Sequence, residues 1–176
     1  MQNEPDGNAE STNPYANPTR AVNVVQQESE QISAARAVLM THIVRAANWF
    51  YWIAGLSLVN LGAIATGASF RFIIGLGFLQ ILGGEAKSMA VSGGSNGALL
   101  IACAGGVALT AFFVACGWFA RRPSMVAFIA GIAVFALDTL IFIRAADWIG
   151  VAFHGWAIYA LWRGVTATRH YNSIGA

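Results

Sequence analysis

Between Ala98 and Ala120 no side chain is charged, and the run stops at Arg121-Arg122-Pro123. A helix over that stretch reaches about 34 Å, against a bilayer core of roughly 30 Å. The pattern therefore predicts a membrane span closed by two cations at headgroup depth. Similar apolar runs extend from about Ala46 to Thr66, from about Met125 to Ile143, and from Trp148 to about Leu161. Trp49, Tyr51 and Trp52 open the first of these, where amphipathic aromatic rings favour the membrane interface. A shorter apolar run, Phe72 to Gly84, lies between Arg71 and Glu85 and carries Gly75, Gly77, Gln80, Gly83 and Gly84. It is too short for a comfortable crossing and suits a re-entrant or tilted half-helix, with a fifth span as the alternative. A polar loop, Ser92-Gly93-Gly94-Ser95-Asn96-Gly97, follows it. The expected fold is all-α: a bundle of four transmembrane helices plus one short Gly-rich segment.

Ahead of the bundle the pattern changes twice. Residues 1–22 are rich in Asn, Glu, Pro, Ser and Thr, and Asn13-Pro14-Tyr15-Ala16-Asn17-Pro18 opposes a helix there. Too little apolar surface exists to offset the entropy of ordering, so a disordered polar tail is expected. Over residues 23–45, Val25, Ile32, Ala35, Leu39 and Ile43 recur at helical steps with Gln26, Glu28, Glu30 and Arg36 between them. That spacing predicts an amphipathic lead-in helix at the membrane surface. The bundle then occupies residues 46–164 and a C-terminal tail residues 165–176.

Composition strengthens the membrane reading: 57% of residues are apolar and only 10% charged, with a mean hydropathy of +0.59. Globular chains carry about 25% charged residues. A net charge of +2, with arginines scattered over helix ends, gives no basic face for nucleic acid. The lipid bilayer is the expected environment. No short charged region leads directly into the first span, so an uncleaved anchor is expected rather than a secretory signal peptide. Counting cations orients the chain. With the short segment re-entrant, Arg20, Arg36, Arg45, Arg121, Arg122, Arg163 and Arg169 lie on one side, and Arg71, Lys87 and Arg144 on the other. The positive-inside rule then places both termini in the cytoplasm, here of a bacterial inner membrane. Cys103 and Cys116 are about 20 Å apart along one helix, too far for a disulfide, and read as small packing residues.

Ionisable side chains within membrane helices are costly and face an interior or a wet cavity. Asp138 and His154 stand out. Each is eight positions from Ala146 at the turn, so an antiparallel hairpin places them at similar depth, about 10 Å below the boundary. Two readings of this intramembrane polar pair stay open: a structural hydrogen bond locking the last two helices, or a proton-relay or ligand-binding pair. Ser57, Asn60 and Gln80 read as polar glue between helices or as cavity-lining groups. Arg144 and Asp147, three apart at the turn, suit an interfacial ion pair of small energetic weight.

Cofactor and enzyme signatures are weak. His42 precedes the first span on the cytoplasmic side and His154 is near the outer side, so they cannot ligate one haem, and His170 lies in the tail. No Cys, His or carboxylate grouping has metal spacing, and Gly75-Leu76-Gly77 lacks the third glycine of a dinucleotide loop. Ser57 with His154 lacks a glycine-serine elbow. No catalytic, cofactor-binding or metal residues are expected. Small-xxx-small pairs abound: Ala102 with Gly106, Ala104 with Ala108, Ala111 with Ala115 and Ala127 with Gly131. In lipid, close contact of small faces holds helices together. Trp52-Ile53-Ala54-Gly55 also echoes Phe128-Ile129-Ala130-Gly131, and Ile74-Gly75-Leu76-Gly77-Phe78 echoes Ile149-Gly150-Val151-Ala152-Phe153, the kind of repeat found in transporter folds.

The stretches Asn48-Trp49-Phe50-Tyr51-Trp52-Ile53-Ala54-Gly55-Leu56-Ser57-Leu58-Val59-Asn60, Gly75-Leu76-Gly77, Ala136-Leu137-Asp138 and Asp147-Trp148-Ile149-Gly150-Val151-Ala152-Phe153-His154 resemble a group of small, uncharacterised bacterial multi-span membrane proteins. The resemblance covers roughly residues 46–164 and implies a compact helical bundle without a known activity. The long amphipathic lead-in departs from the short N-termini of that group. The expected function is a structural or accessory membrane role, non-enzymatic, packing against a second copy or a larger complex. The alternative is a small proton-coupled permease or channel using Asp138 and His154.

Overall fold

Four helices, and no strand, make up the described residues: α1 over Pro18–Ala65, α2 over Gly97–Ala120, α3 over Met125–Arg144 and α4 over Trp148–Ile174. The computed structural model describes residues 18–66, 77–78 and 97–174. Most of the short Gly-rich segment, the polar loop before Gly97 and the first seventeen residues lie outside these. Gly77 and Phe78 are helical.

The chain divides into two compact units, Met1–Val38 and Leu39–Ala176. In the first, α1 begins at Pro18, so residues 18–22 belong to a helix and not to the expected tail. Proline suits a first helical turn, where its missing N–H would have no partner anyway. Val22, Val25, Ile32 and Val38 are exposed along this unit. Ser29 and Ser33 donate back to the carbonyls of Gln26 and Glu30 at 2.7 and 2.8 Å.

In the second unit, α2 and α3 are long and apolar enough to cross a membrane, over Cys103–Ala120 and Met125–Arg144. Only 33% of each span is buried within the chain, so most of their apolar surface faces outward. Leu100, Ile101, Val126 and Leu137 are among the exposed side chains. The interior holds aromatic rings packed into small-residue notches. Phe50 of α1 is fully buried, its ring centroid 6.2 Å from Phe113 of α2 and 5.8 Å from Phe128 of α3. Its edge occupies the volume that a Cβ at Gly131 would fill. The buried face of α4 continues past the expected end of its span. Leu161, Gly164, Val165 and Thr168 are buried at helical spacing, so residues 165–174 extend α4 instead of forming a separate tail.

The α3–α4 turn is a Schellman closure. The Asp147 N–H donates to the Phe142 carbonyl at 3.0 Å and the Ala146 N–H to Ile143 at 3.1 Å. Ala146 takes a positive φ of 54°, where glycine is usual. A left-handed conformation costs alanine roughly 1–2 kcal/mol, of which the more flexible unfolded glycine chain offsets up to about 1 kcal/mol. Ala146→Gly is therefore expected to stabilise the chain by about 0.5–1 kcal/mol, measured by denaturant unfolding in detergent. A destabilised variant would mean that the turn is not strained.

Candidate functional site

Three helical positions on one face of α3, Phe135, Asp138 and Phe142, point into the bundle and are all but fully buried. On α4 the corresponding face carries Gly150, His154, Ala157 and Leu161. The short turn between the helices makes them antiparallel, which brings Asp138 and His154 together. His154 Nε2 lies 3.0 Å from Asp138 Oδ2, and the two side chains are 0% and 3% exposed.

The carboxylate has two further partners. Its Oδ2 accepts from the Gly77 N–H at 2.8 Å and its Oδ1 from the Phe78 N–H at 2.9 Å. Asp138 thus ties together three pieces of chain: α3, α4 and the helical residues Gly77 and Phe78. Phe142 packs where a Cβ would sit on either Gly77 or Gly150, so both backbones approach the ring closely. The imidazole is sandwiched, stacked on Phe135 at a centroid distance of 4.3 Å and tilted against Phe142 at 4.5 Å.

Donor counting decides what the pair can do. His154 Nδ1 is 2.8 Å from the Gly150 carbonyl oxygen, which can only accept, so Nδ1 carries a proton. The contact between Nε2 and Oδ2 then needs a proton of its own, held on either atom. One proton is shared there. A relay through imidazole requires the second nitrogen to hand its proton onward, but here that nitrogen is committed to a carbonyl of its own helix. The adjoining cavity of about 270 Å³ is walled by Phe78, Leu109, Val134, Leu137 and Ile141, with Asp138 as its one ionisable residue among those described. A stable water there needs two to four polar partners, more than the described lining residues supply.

The other sequence candidates are placed differently. Ser57 is fully buried and donates to the Ile53 carbonyl of its own helix at 2.7 Å, which commits its only proton. Asn60 is buried one turn further on, and Gln80 lies outside the described residues. Arg144 and Asp147 form no ion pair with each other. Instead Asp147 is the N-cap of α4, its Oδ1 accepting from the Gly150 N–H at 3.0 Å. The cap wins because orphan N–H groups at a helix start are fixed in place, whereas the Arg144 side chain is exposed and free to turn to solvent. Asp147→Ala should cost about 1 kcal/mol and Arg144→Gln almost nothing in the same unfolding assay. Equal costs would restore the ion pair.

Sequence reasoning missed the Gly77 and Phe78 donors and the Gly150 acceptor, because backbone groups carry no residue signature. Phe135 and Phe142 were accessible, since they stand three before and four after Asp138 on its own helix face. Among the described residues no three His, Cys, Asp or Glu side chains converge as a metal site would require. No protein-family model, curated protein or solved structure matches this chain.

Proposed function

We propose that this chain is an integral protein of a bacterial inner membrane. Four helices would cross the bilayer, the segment 72–84 would enter it partway, and both termini would be cytoplasmic. Its role would be structural or accessory, through packing against a second copy or a larger complex. Several features support the membrane part. Charged and polar groups with internal partners, such as Asp138, His154 and Ser57, are inside, while Leu100, Val126, Leu137 and Ile149 face out. Exposed Trp118 and Trp162 stand beside Arg122 and Arg163 at one end of the bundle, and exposed Trp148 stands near Arg144 at the other. Such aromatic and cationic rims suit the two interfaces of a membrane.

The observation that carries the packing role is on α2. Ala104, Ala108, Ala111 and Ala115 recur at helical spacing and are exposed, a small-residue stripe turned away from the chain's own core. In lipid such a stripe gains nothing from single helices but allows close approach of another helix. The committed Nδ1 of His154 and the apolar surroundings of Asp138 weigh against the proton-coupled alternative.

The test uses Ala108→Ile with Ala111→Ile in the full chain, since bulk on an exposed face leaves the monomer's packing intact. In mild detergent the parent chain should migrate as an oligomer or co-purify with other membrane subunits. The double variant should lose that association with an unchanged unfolding midpoint. A monomeric parent chain that purifies alone would sink the accessory reading.

A further inference from the structure

Near the opposite end of α1 and α4 from the Asp138 cluster lies a cleft of about 370 Å³ that the sequence reading did not anticipate. Its rim carries Arg45 and His42 from α1 and Arg163 and His170 from α4, and among the described residues no acidic side chain lines it. The packing of Gly164 against Ala46 sets Arg45 and Arg163 at one level of the bundle. Both arginines are exposed, and neither has an ion-pair partner among the described residues. Two like charges facing one cleft without a counterion repel each other, so the arrangement is incomplete by itself.

A second groove continues from this cleft. It has a volume of about 400 Å³, shares Arg45 and Trp49 with the first, and is otherwise lined by Asn48, Trp52, Leu56 and Phe153. Its walls are mainly apolar. Trp49 forms the junction, edge-on to Trp156 at a centroid distance of 4.6 Å. A cationic cleft opening into an apolar trough has the two-part chemistry of one amphiphile: an anionic head and a hydrocarbon tail.

We infer that the α1–α4 cleft binds an anionic phospholipid, its phosphate between Arg45 and Arg163 and one acyl chain along the Trp52–Leu56–Phe153 groove. This rests on the membrane reading above. Arginine suits the role because its planar fork meets phosphate oxygens with two parallel hydrogen bonds. Basic pockets between helices on the cytoplasmic side are known to hold such headgroups, and the positive-inside orientation puts this cleft on that side. Asn48 is held at the groove wall by Arg121, whose Nη2 donates to its Oδ1 at 2.6 Å.

The experiment is native mass spectrometry of the full chain in mild detergent, titrated with dioleoyl phosphatidylglycerol, dioleoyl phosphatidylcholine, a short-chain phosphatidylglycerol and inorganic phosphate. Phosphatidylglycerol should bind at least tenfold more tightly than the choline lipid. Each arginine near an anionic headgroup contributes about fivefold, so Arg45→Gln with Arg163→Gln should weaken binding about twenty-fivefold. Arg45→Lys with Arg163→Lys should hold it within about fivefold, and Arg144→Gln, at the other end, should leave it unchanged. All substituted side chains are exposed, and retained helicity by circular dichroism checks that each variant folds. Wild-type affinity in the double Gln variant would overturn the proposal. So would equal binding of the choline lipid, or inorganic phosphate or the short-chain lipid binding as tightly as the long-chain one. Alkaline washing of membranes separates the premise from the site. A chain that washes off overturns the membrane reading itself, whereas one that stays embedded without lipid preference overturns the cleft alone.

Discussion

Asp138→Leu is expected to lower the stability of the folded chain by about 3–5 kcal/mol, since it leaves three buried polar groups unpaired at about 1–3 kcal/mol each. The carboxylate meets three groups: Nε2 of His154, the Gly77 N–H and the Phe78 N–H. Leucine satisfies none of them and leaves two backbone donors and an imidazole nitrogen buried without partners. Asp138→Asn should cost less, about 1–3 kcal/mol, because the amide keeps two of the three contacts in either orientation. With its oxygen on the Gly77 side, the NH₂ faces the Phe78 N–H, donor against donor. Flipped, the NH₂ can donate to an unprotonated Nε2 but collides electrostatically with the Gly77 N–H. Unfolding titrations in mixed micelles would rank the two variants. Equal, negligible shifts would show that the cluster contributes nothing, and the lock between α3, α4 and the Gly77 segment would be lost as an idea. A loss of transport with stability unchanged in Asp138→Asn would instead revive the proton-coupled alternative.

The same cluster shows where sequence reasoning reaches and where it stops. Equal spacing of Asp138 and His154 about the Arg144–Asp147 turn is enough to set them opposite each other, because rise per residue is the same on both helices. The third strut, at Gly77 and Phe78, was not legible, since any residue offers an N–H and only the fold says which two point at a carboxylate. Asp147 illustrates a related limit. An Asp directly before an apolar run is an N-cap signal as well as half of an ion pair, and fixed backbone donors outcompete a flexible arginine. α4 reaches beyond its apolar run, which fades at Leu161. The buried positions Gly164, Val165 and Thr168 carry the helical period on with smaller and more polar residues, and a hydropathy reading passes over them. Pro18, like any proline, opposes a helix from within but suits its first turn.

Phe50→Ala is the second substitution expected to have a large effect, and its size discriminates between environments. In a water-soluble core, truncating a buried phenylalanine costs about 3–5 kcal/mol, the sum of a transfer term and a cavity term. In a bilayer the unfolded helices still rest in hydrocarbon, so the transfer term largely vanishes and packing remains. A loss of about 2–3 kcal/mol is therefore expected, from the contacts with Phe113, Phe128 and Gly131. Gly131→Ala should cost about 1–3 kcal/mol by itself, because its methyl group would enter the space of the Phe50 ring. Combined with Phe50→Ala, that methyl group would partly fill the void, and the double variant should be more stable than the sum of the two losses by about 1 kcal/mol or more. Strict additivity would mean that the ring does not occupy the notch. A loss near the top of the soluble range for Phe50→Ala alone would mean that the ring reaches water on unfolding, which a helix retained in the bilayer cannot do.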